Sequence, residues 1–238
     1  MHLLIDIGNT RIKWGIADQT AALLRSGAMG HDFEEFEKRI QSLSKKYTLL
    51  KAIVSAVGDP AVVKQAEAVI QAENSLTIQR FQTQTSAFGV KNAYSDAASL
   101  GADRWAAMIA AHRLYRGASL ICDCGTATTL DLLDRDGSHL GGYILPGLAM
   151  TRTALMSAKL PQVSGGDLLP ADNTVAAIAN GTVMELVAAI DYVIRQNNEP
   201  SCILTGGDAI VVGSLLSNPF HHDPDLVLKG LAIASVAK

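Results

Sequence analysis

Residues 3–18 read LLIDIGNTRIKWGIAD, which places an acidic residue, a glycine, an asparagine and a threonine between two apolar runs. The apolar runs predict two strands, and Gly8 with Asn9 predicts a tight hairpin turn, because both residues tolerate positive φ. Backbone N–H groups that converge in such a turn bind anions. Asp6 ends a buried strand and is suited to hold a hydrated Mg²⁺, whereas Thr10 and Lys13 can donate to phosphate oxygens. The stretch therefore carries the parts that phosphoryl transfer needs.

A second stretch, LICDCGTAT at residues 120–128, repeats this pattern of an apolar strand, Asp-x-Gly and hydroxyl residues. Taken alone, the first stretch is equally typical of an ordinary hairpin whose aspartate is bonded by turn amides. Asp6 and Asp123 lie nearly half the chain apart, so the second copy favours an internal duplication at the scale of a domain. We expect two such loops to face each other across a cleft and to bind the phosphates of a nucleotide.

The order of predicted elements also repeats approximately. Strands are expected near 3–7, 12–17, 22–28, 51–57 and 76–81 and, in the second half, near 119–124, 128–134, 139–145 and 201–205. Helices are expected near 32–46, 61–73, 97–115, 147–157, 174–195, 209–217 and 228–236. This order predicts an α/β protein of two domains, residues 1–117 and 118–238, with the boundary near Arg116.

Composition excludes several classes of protein. The 238 residues carry a formal net charge of −3, and no segment has the dense Lys/Arg run of a nucleic-acid footprint. We find neither a basic leader before the first strand nor a run of about 18 uncharged apolar residues. The sequence thus predicts a cytoplasmic protein with no nucleic-acid or membrane partner. Cys122, Cys124 and Cys202 are too few for a disulfide framework and supply at best half of a zinc site.

A third glycine pair, Gly206-Gly207, follows the apolar run ILT and opens a predicted helix. Glycines there let the backbone approach a flat ligand closely, so this turn could flank an adenosine. A tight turn between a strand and a helix, without any ligand, is the more common explanation of such a pair.

Four motifs taken together resemble a known family. Two βββαβαβα halves with glycine hairpins resemble the duplicated ribonuclease-H-like fold of the actin-like ATPases, which include sugar kinases. Within that superfamily the chain is similar to type III pantothenate kinases, and the similarity rests on Asp6-x-Gly8-Asn9-Thr10-x-x-Lys13, Gly101-Ala102-Asp103-Arg104, Asp123-x-Gly125-Thr126-Ala127-Thr128 and Gly141-Gly142-x-Ile144-x-Pro146-Gly147. The resemblance implies ATP-dependent phosphorylation of pantothenate in coenzyme A biosynthesis. It also implies the cofactors Mg²⁺ and a monovalent cation, K⁺ or NH₄⁺, and a homodimer.

The resemblance further implies roles for individual residues. Those matching the ATP-binding positions are Asp6, Ile7, Gly8, Asn9, Thr10, Arg11, Ile12, Lys13 and Thr126. Those matching the pantothenate site are Tyr94, Gly101, Ala102, Asp103, Arg104 and Thr182, the last contributed by the partner subunit. Asp103 is the expected general base, and Asp123 the expected ligand of the monovalent cation. A carboxylate that accepts the proton of an attacking hydroxyl is sound chemistry for a kinase, and Arg104 can pair with a substrate carboxylate.

Alternatives remain open at this point. Without the phosphate loops, Asp103-Arg104 would be typical of an exposed pair at a helix start. Ala97 stands where many family members carry proline, which bears on the rigidity of that loop. The chain could also be a regulatory accessory factor of the same family, or a kinase for another small alcohol, because fold does not determine substrate.

Overall fold

The computed structural model describes residues 1–73 and 76–236, which pack into two compact units. The first unit comprises Met1–Leu114 together with the C-terminal segment that starts at Asp225. The second unit is Tyr115–Pro224. Each unit is built on its own five-stranded mixed sheet.

The first unit begins with three antiparallel strands, after which helices alternate with strands. Its elements are β1 (His2–Ile7), β2 (Ile12–Ala17), β3 (Leu23–Met29), α1 (Phe33–Lys46), β4 (Lys51–Ala56), α2 (Pro60–Ala72), β5 (Thr77–Arg80), the short hairpin β6 (Ser86–Ala87) and β7 (Val90–Lys91), a 3₁₀ turn (Ala97–Ser99) and α3 (Ala102–Leu114). Asp32 and Asp59 cap α1 and α2 by accepting from backbone N–H groups of the first turn, and Pro60 occupies a position where its missing N–H costs nothing.

The second unit repeats this plan. Its elements are β8 (Ser119–Cys124), β9 (Ala127–Leu133), β10 (His139–Pro146), α4 (Leu148–Ser157), α5 (Thr174–Gln196), β11 (Ser201–Thr205), α6 (Ala209–Gly213) and β12 (Phe220–His222). The last helix of the chain, α7 (Leu226–Val236), belongs to the first unit.

The two sheets have the same strand order. The first sheet runs β3-β2-β1-β4-β5 and the second runs β10-β9-β8-β11-β12. In each sheet the first three strands are antiparallel and the last two continue in parallel. Identical order and direction in both halves confirm the duplicated α/β fold that the two Asp-x-Gly stretches predict.

Three expectations differ from the structure in detail. The predicted second domain, residues 118–238, includes the C-terminal helix, but α7 belongs to the first unit because it packs against α3 and β1. The helix expected at 97–115 is broken, since Leu100 is extended and α3 starts after Gly101. Residues 220–222 form the edge strand β12, an element that the sequence did not predict.

The longest helix, α5, is long and apolar enough to span a membrane by length and hydropathy. Its most apolar 18-residue window is 56% buried inside the fold, and residues such as Val183, Leu186 and Ile190 line the core of the second unit. We therefore describe α5 as the core helix of its unit.

Candidate active site

The first candidate loop connects β1 to β2 and carries a row of polar side chains at its base. Asp6 pairs with Lys13 across the antiparallel ladder and with Ser55 across the parallel ladder to β4. Residues paired directly across a ladder point to the same face of a sheet. Asp6 and Ser55 are buried and Lys13 is half-buried. A carboxylate, an ammonium group and a hydroxyl therefore share one face where the loop begins.

The loop itself reverses the chain differently from the prediction. Ile7 pairs with Ile12, so the connection has four residues, and Gly8 N–H donates to Arg11 O at 3.0 Å. Neither Gly8 nor Asn9 has positive φ. Four-residue hairpin loops are commonly built around turns with negative φ, which explains the difference. Ile7 and Ile12 are fully buried in the core of the first unit, so neither side chain is available to a ligand.

The second candidate loop, between β8 and β9, repeats the row with different side chains. Asp123 pairs with Thr129 on β9 and with Thr205 on β11. This is the same arrangement as Asp6 with its two neighbours, except that the hydroxyl of Thr129 stands where Lys13 has its ammonium group. The two rows occupy equivalent positions in the two sheets. The duplicated Asp-x-Gly stretches therefore place one aspartate between two polar residues in each unit.

The backbone at two glycines packs closely against the second loop. A Cβ at Gly206, where φ is +92°, would lie 2.5 Å from Asp123 Oδ1 and from the backbone carbon of Cys124. A Cβ at Gly147 would overlap Gly125 O, and Gly147 N–H donates to Thr126 O at 3.2 Å. Positions 147 and 206 therefore require glycine, because the backbone at both positions packs directly against the second loop. Gly206 turns out to contact the second loop directly, in addition to opening α6.

The loops fit a polar ligand. Ser55 Oγ, Thr128 Oγ1 and Thr205 Oγ1 are buried without a hydrogen-bond partner in the structure. A buried hydroxyl without a partner loses free energy, so Ser55 and Thr205, on the same sheet faces as Asp6 and Asp123, are sites where a ligand or its bound water would restore a bond. Ser55 and Thr205 lie at the loop ends of their strands, beside Asp6 and Asp123, whereas Thr128 on β9 pairs with Cys124 and faces the core of the second unit.

The segment before α3 brings together the residues expected to bind substrate. Arg104 Nη1 donates to the Tyr94 hydroxyl at 3.1 Å, and the guanidinium lies 5.7 Å from the Tyr94 ring centroid. Asp103 Oδ1 accepts from the N–H of Arg104 at 2.8 Å, in the first turn of α3, where the helix dipole favours a carboxylate. A Cβ at Gly101 would lie 2.6 Å from the same oxygen, so a larger residue there would displace the carboxylate.

The loop before this segment is held by two polar side chains. Buried Asn92 accepts from Tyr94 N–H at 2.9 Å and donates to Ala97 O at 3.4 Å. Asp96 caps the 3₁₀ turn by accepting from Ala98 N–H. These contacts order the loop around Ala97 without a proline there. Ser55 and Asn92 were not singled out from the sequence. For Ser55 the visible signal was a polar residue inside an apolar strand.

A pocket of about 400 Å³ opens at the start of α3 in the first unit. It is lined by residues 56–57 at the end of β4, by residues 81–83, and by residues 98–102. Its volume lies within the range of small-molecule sites. Gly101 and Ala102 form part of its wall, so Asp103 and Arg104 follow directly from the pocket lining.

Thr182, the remaining residue expected at the substrate site, lies on α5 in the second unit. Its hydroxyl donates to Ala179 O at 2.9 Å and accepts from Arg152 Nε at 3.1 Å. Arg152 also donates to Gly165 O. Thr182 is buried, and these two bonds leave its hydroxyl oxygen one lone pair.

The three cysteines, Cys122, Cys124 and Cys202, lie in the core of the second unit. Among residues 1–73 and 76–236, no three His, Cys, Asp or Glu side chains form a group that could hold a metal ion. All three thiols are buried and free. Burial raises the pKa of Cys124 to about 12 and the pKa of Cys122 well above its ordinary value, so both are thiols at neutral pH.

Comparison with known proteins agrees with the fold. The family described as type III pantothenate kinase matches residues 2–196. A type III pantothenate kinase from Nitrosococcus oceani is 37% identical over 98% of this chain and 92% of its own length. A solved Campylobacter jejuni protein, described as a conserved Baf family transcriptional activator, has a TM-score of 0.63 at 19% identity and covers 98% of both chains.

A more distant solved structure shows the same fold in a sugar kinase. The ROK family glucokinase from Streptomyces griseus, solved with glucose and AMPPNP, has a TM-score of 0.53 at 11% identity over 98% of both chains. The expected sugar-kinase and actin-like ATPase architecture is thereby confirmed. The family match over most of the chain and the similarity to its members over nearly the full length lead to one conclusion: the chain belongs to the type III pantothenate kinase family.

Proposed function

We propose that this protein transfers the γ-phosphoryl group of ATP to the primary hydroxyl of pantothenate, which is the first step of coenzyme A biosynthesis. The observation that carries the proposal beyond family membership is the pocket whose wall ends at Gly101 and Ala102, immediately before Asp103. A small alcohol in this pocket has a carboxylate at hand to accept its proton, as the chemistry requires.

ATP is bound through the two loops. The backbone of residues 8–10, with Thr10 and Lys13, donates to phosphate oxygens, and Thr126 contributes from the second loop. Asp6 would hold Mg²⁺, because a carboxylate is a ligand that Mg²⁺ prefers, and the metal would offset phosphate charge. Lys13, which pairs with Asp6 in the ladder, donates to the phosphate oxygens.

Pantothenate is held by the segment that ends in α3. Asp103 accepts the proton of the attacking hydroxyl. Arg104 binds the substrate carboxylate, and its bond to Tyr94 holds the guanidinium in one orientation. Asp123 binds the monovalent cation, K⁺ or NH₄⁺, with Thr205 next to it in the parallel ladder.

We infer a homodimer, and exposed apolar side chains of the second unit support this inference. β10 is an edge strand that exposes Tyr143 (51%) and Ile144 (63%), and α5 exposes Met184 and Tyr192. β10 contacts α4 and α4 contacts α5. A second copy of the chain covers this apolar surface and places its Thr182 at the pantothenate site. The enzyme acts in the cytoplasm and has no nucleic-acid or membrane partner.

The test is ADP release by purified protein with ATP and Mg²⁺, measured with and without pantothenate, in potassium and then in sodium salts. We expect turnover that requires pantothenate and is higher in potassium. Turnover that requires pantothenate equally in both salts would remove the cation role of Asp123 alone. ADP release that ignores pantothenate would refute the substrate and favour another alcohol or a regulatory role.

A further inference from the structure

A histidine outside the sequence motifs contacts the first loop. His31 lies between β3 and α1 and is half-buried. Its Nε2 lies 3.2 Å from Gly8 O. A carbonyl oxygen can only accept, so Nε2 carries the hydrogen of this bond whichever charge the ring has.

The bond fixes more than one carbonyl group. Gly8 C=O and Asn9 N–H belong to the same planar peptide unit, and none of the described peptide bonds is cis. In a trans unit the C=O and N–H groups point in opposite directions. Holding Gly8 O against His31 therefore turns Asn9 N–H to the other side, within a loop whose Asn9 and Thr10 are exposed.

A second element restrains the same carbonyl. Gly58 follows β4, and a Cβ at this position would lie 2.9 Å from Gly8 O and 3.3 Å from Gly8 C. The backbone there packs against the carbonyl, leaving it little room to rotate. His31 and Gly58 thus hold one peptide unit, His31 through a hydrogen bond and Gly58 through packing.

We propose that His31 is a positioning residue for the ATP phosphates: it orients the Gly8–Asn9 peptide so that Asn9 N–H faces the bound nucleotide. This inference rests on the proposed role of residues 6–13 in binding ATP. His31 does not touch the phosphate in this account, and its effect passes entirely through the peptide that it holds.

The experiment compares four single variants. His31→Ala removes the donor, His31→Gln keeps an N–H at about the reach of Nε2, and His31→Asn keeps an amide that is too short. His112→Ala is the control, because it removes another half-buried histidine of the same unit that contacts Gly89 and not the loop. Calorimetry measures the Kd of a non-hydrolysable ATP analogue, and kinetics measure KM for ATP and for pantothenate. Thermal melting selects variants that fold.

We expect His31→Ala and His31→Asn to bind the ATP analogue about three- to tenfold more weakly, the usual effect of losing one neutral hydrogen bond. KM for ATP should rise with the Kd while KM for pantothenate stays constant, and His31→Gln and His112→Ala should match wild type. If the alanine variant does not fold, the asparagine and glutamine variants still make the comparison.

Unchanged nucleotide affinity in the folded alanine or asparagine variants would overturn the proposal, as would equal weakening in His31→Gln or His112→Ala. An equal rise in both KM values would also overturn it. Because analogue binding needs no pantothenate, a failure of the proposed substrate is distinguishable from a failure of this inference. The first appears as wild-type protein that binds the analogue but does not turn over pantothenate.

Discussion

At the scale of single residues, the carboxylate of Asp103 has the clearest expected role. Its Oδ1 accepts from the backbone N–H of Arg104, and Gly101 has no side chain that would displace this oxygen. Asp103→Asn keeps the size of the side chain and removes its ability to accept a proton. We expect kcat to fall by about 10²-fold or more while ATP and pantothenate still bind, the usual effect of losing a general base. Steady-state kinetics with equilibrium binding checks this, and an unchanged kcat would remove Asp103 from the mechanism.

Gly58 provides a second test at this scale. A methyl group at residue 58 would lie 2.9 Å from Gly8 O, closer than van der Waals contact permits, so the first loop must shift. Gly58→Ala should therefore raise KM for ATP several-fold and leave KM for pantothenate close to wild type. The control is Gly30→Ala, because a Cβ at Gly30 meets no atom within 4 Å. An unchanged KM for ATP in Gly58→Ala would mean that the loop tolerates displacement of this carbonyl.

Sequence reasoning found the residues of the loops but not the residues that support them. Asp6, Lys13, Asp103 and Asp123 are visible because each stands in a short motif. Ser55 lies far from Asp6 in sequence and becomes its neighbour only through the parallel register of β1 and β4. His31 likewise meets Gly8 only after β3 has returned along β2. Strand register determines such contacts, and it joins residues that are too far apart in sequence to stand in one short motif.

At the scale of elements, the contact between α3 and α7 is the feature that the sequence predicted least well. A Cβ at Gly230 would overlap the backbone carbonyl of Ala106, so the two helices approach each other through a glycine. Gly230→Ala should force them apart and lower the free energy of unfolding by about 1–3 kcal/mol, the range measured for overpacked cores. Urea denaturation measures the change, with Gly30→Ala again as the control. A stability equal to wild type would show that α7 adjusts freely.

Helix and strand types were predictable because apolar periodicity and capping residues agree along most of the chain. The break before α3 was not, because Ala97–Leu100 has the composition of a helix. Asp96 caps the 3₁₀ turn, Leu100 then adopts an extended conformation, and α3 starts afresh one residue after Gly101. The break matters for function, because it places Asp103 in the first turn of a helix and beside the pocket.

At the scale of the whole molecule, the duplication was readable from two Asp-x-Gly stretches, and the two sheets confirm it. The sequence did not predict that α7 belongs to the first unit, because this helix follows the second repeat in chain order. Tyr115 and Asp223, beside the two points where the chain passes between units, are joined by a 3.0 Å hydrogen bond. Burial, with the charge of Asp223, raises the pKa of Tyr115 to about 12, so this hydroxyl remains a donor at neutral pH.

The proposed dimer predicts complementation between inactive subunits. If each site takes Asp103 from one chain and Thr182 from the other, a heterodimer of Asp103→Asn and Thr182→Val contains one intact site. Heterodimers isolated through two affinity tags should recover about half of wild-type turnover, because one of two equivalent sites is restored. Each variant homodimer serves as its own control. A heterodimer no more active than either homodimer would indicate that Thr182 acts within its own chain or not at all.

The central claim is that this chain phosphorylates pantothenate. The most direct measurement is mass spectrometry of the product after incubation with ATP, Mg²⁺ and K⁺, with pantothenate in competition with other small primary alcohols and with Asp103→Asn as the blank. The account predicts one product, pantothenate carrying a single phosphoryl group, which the variant does not form at a comparable rate. Unmodified pantothenate beside a phosphorylated competitor, or beside no product at all, would contradict it.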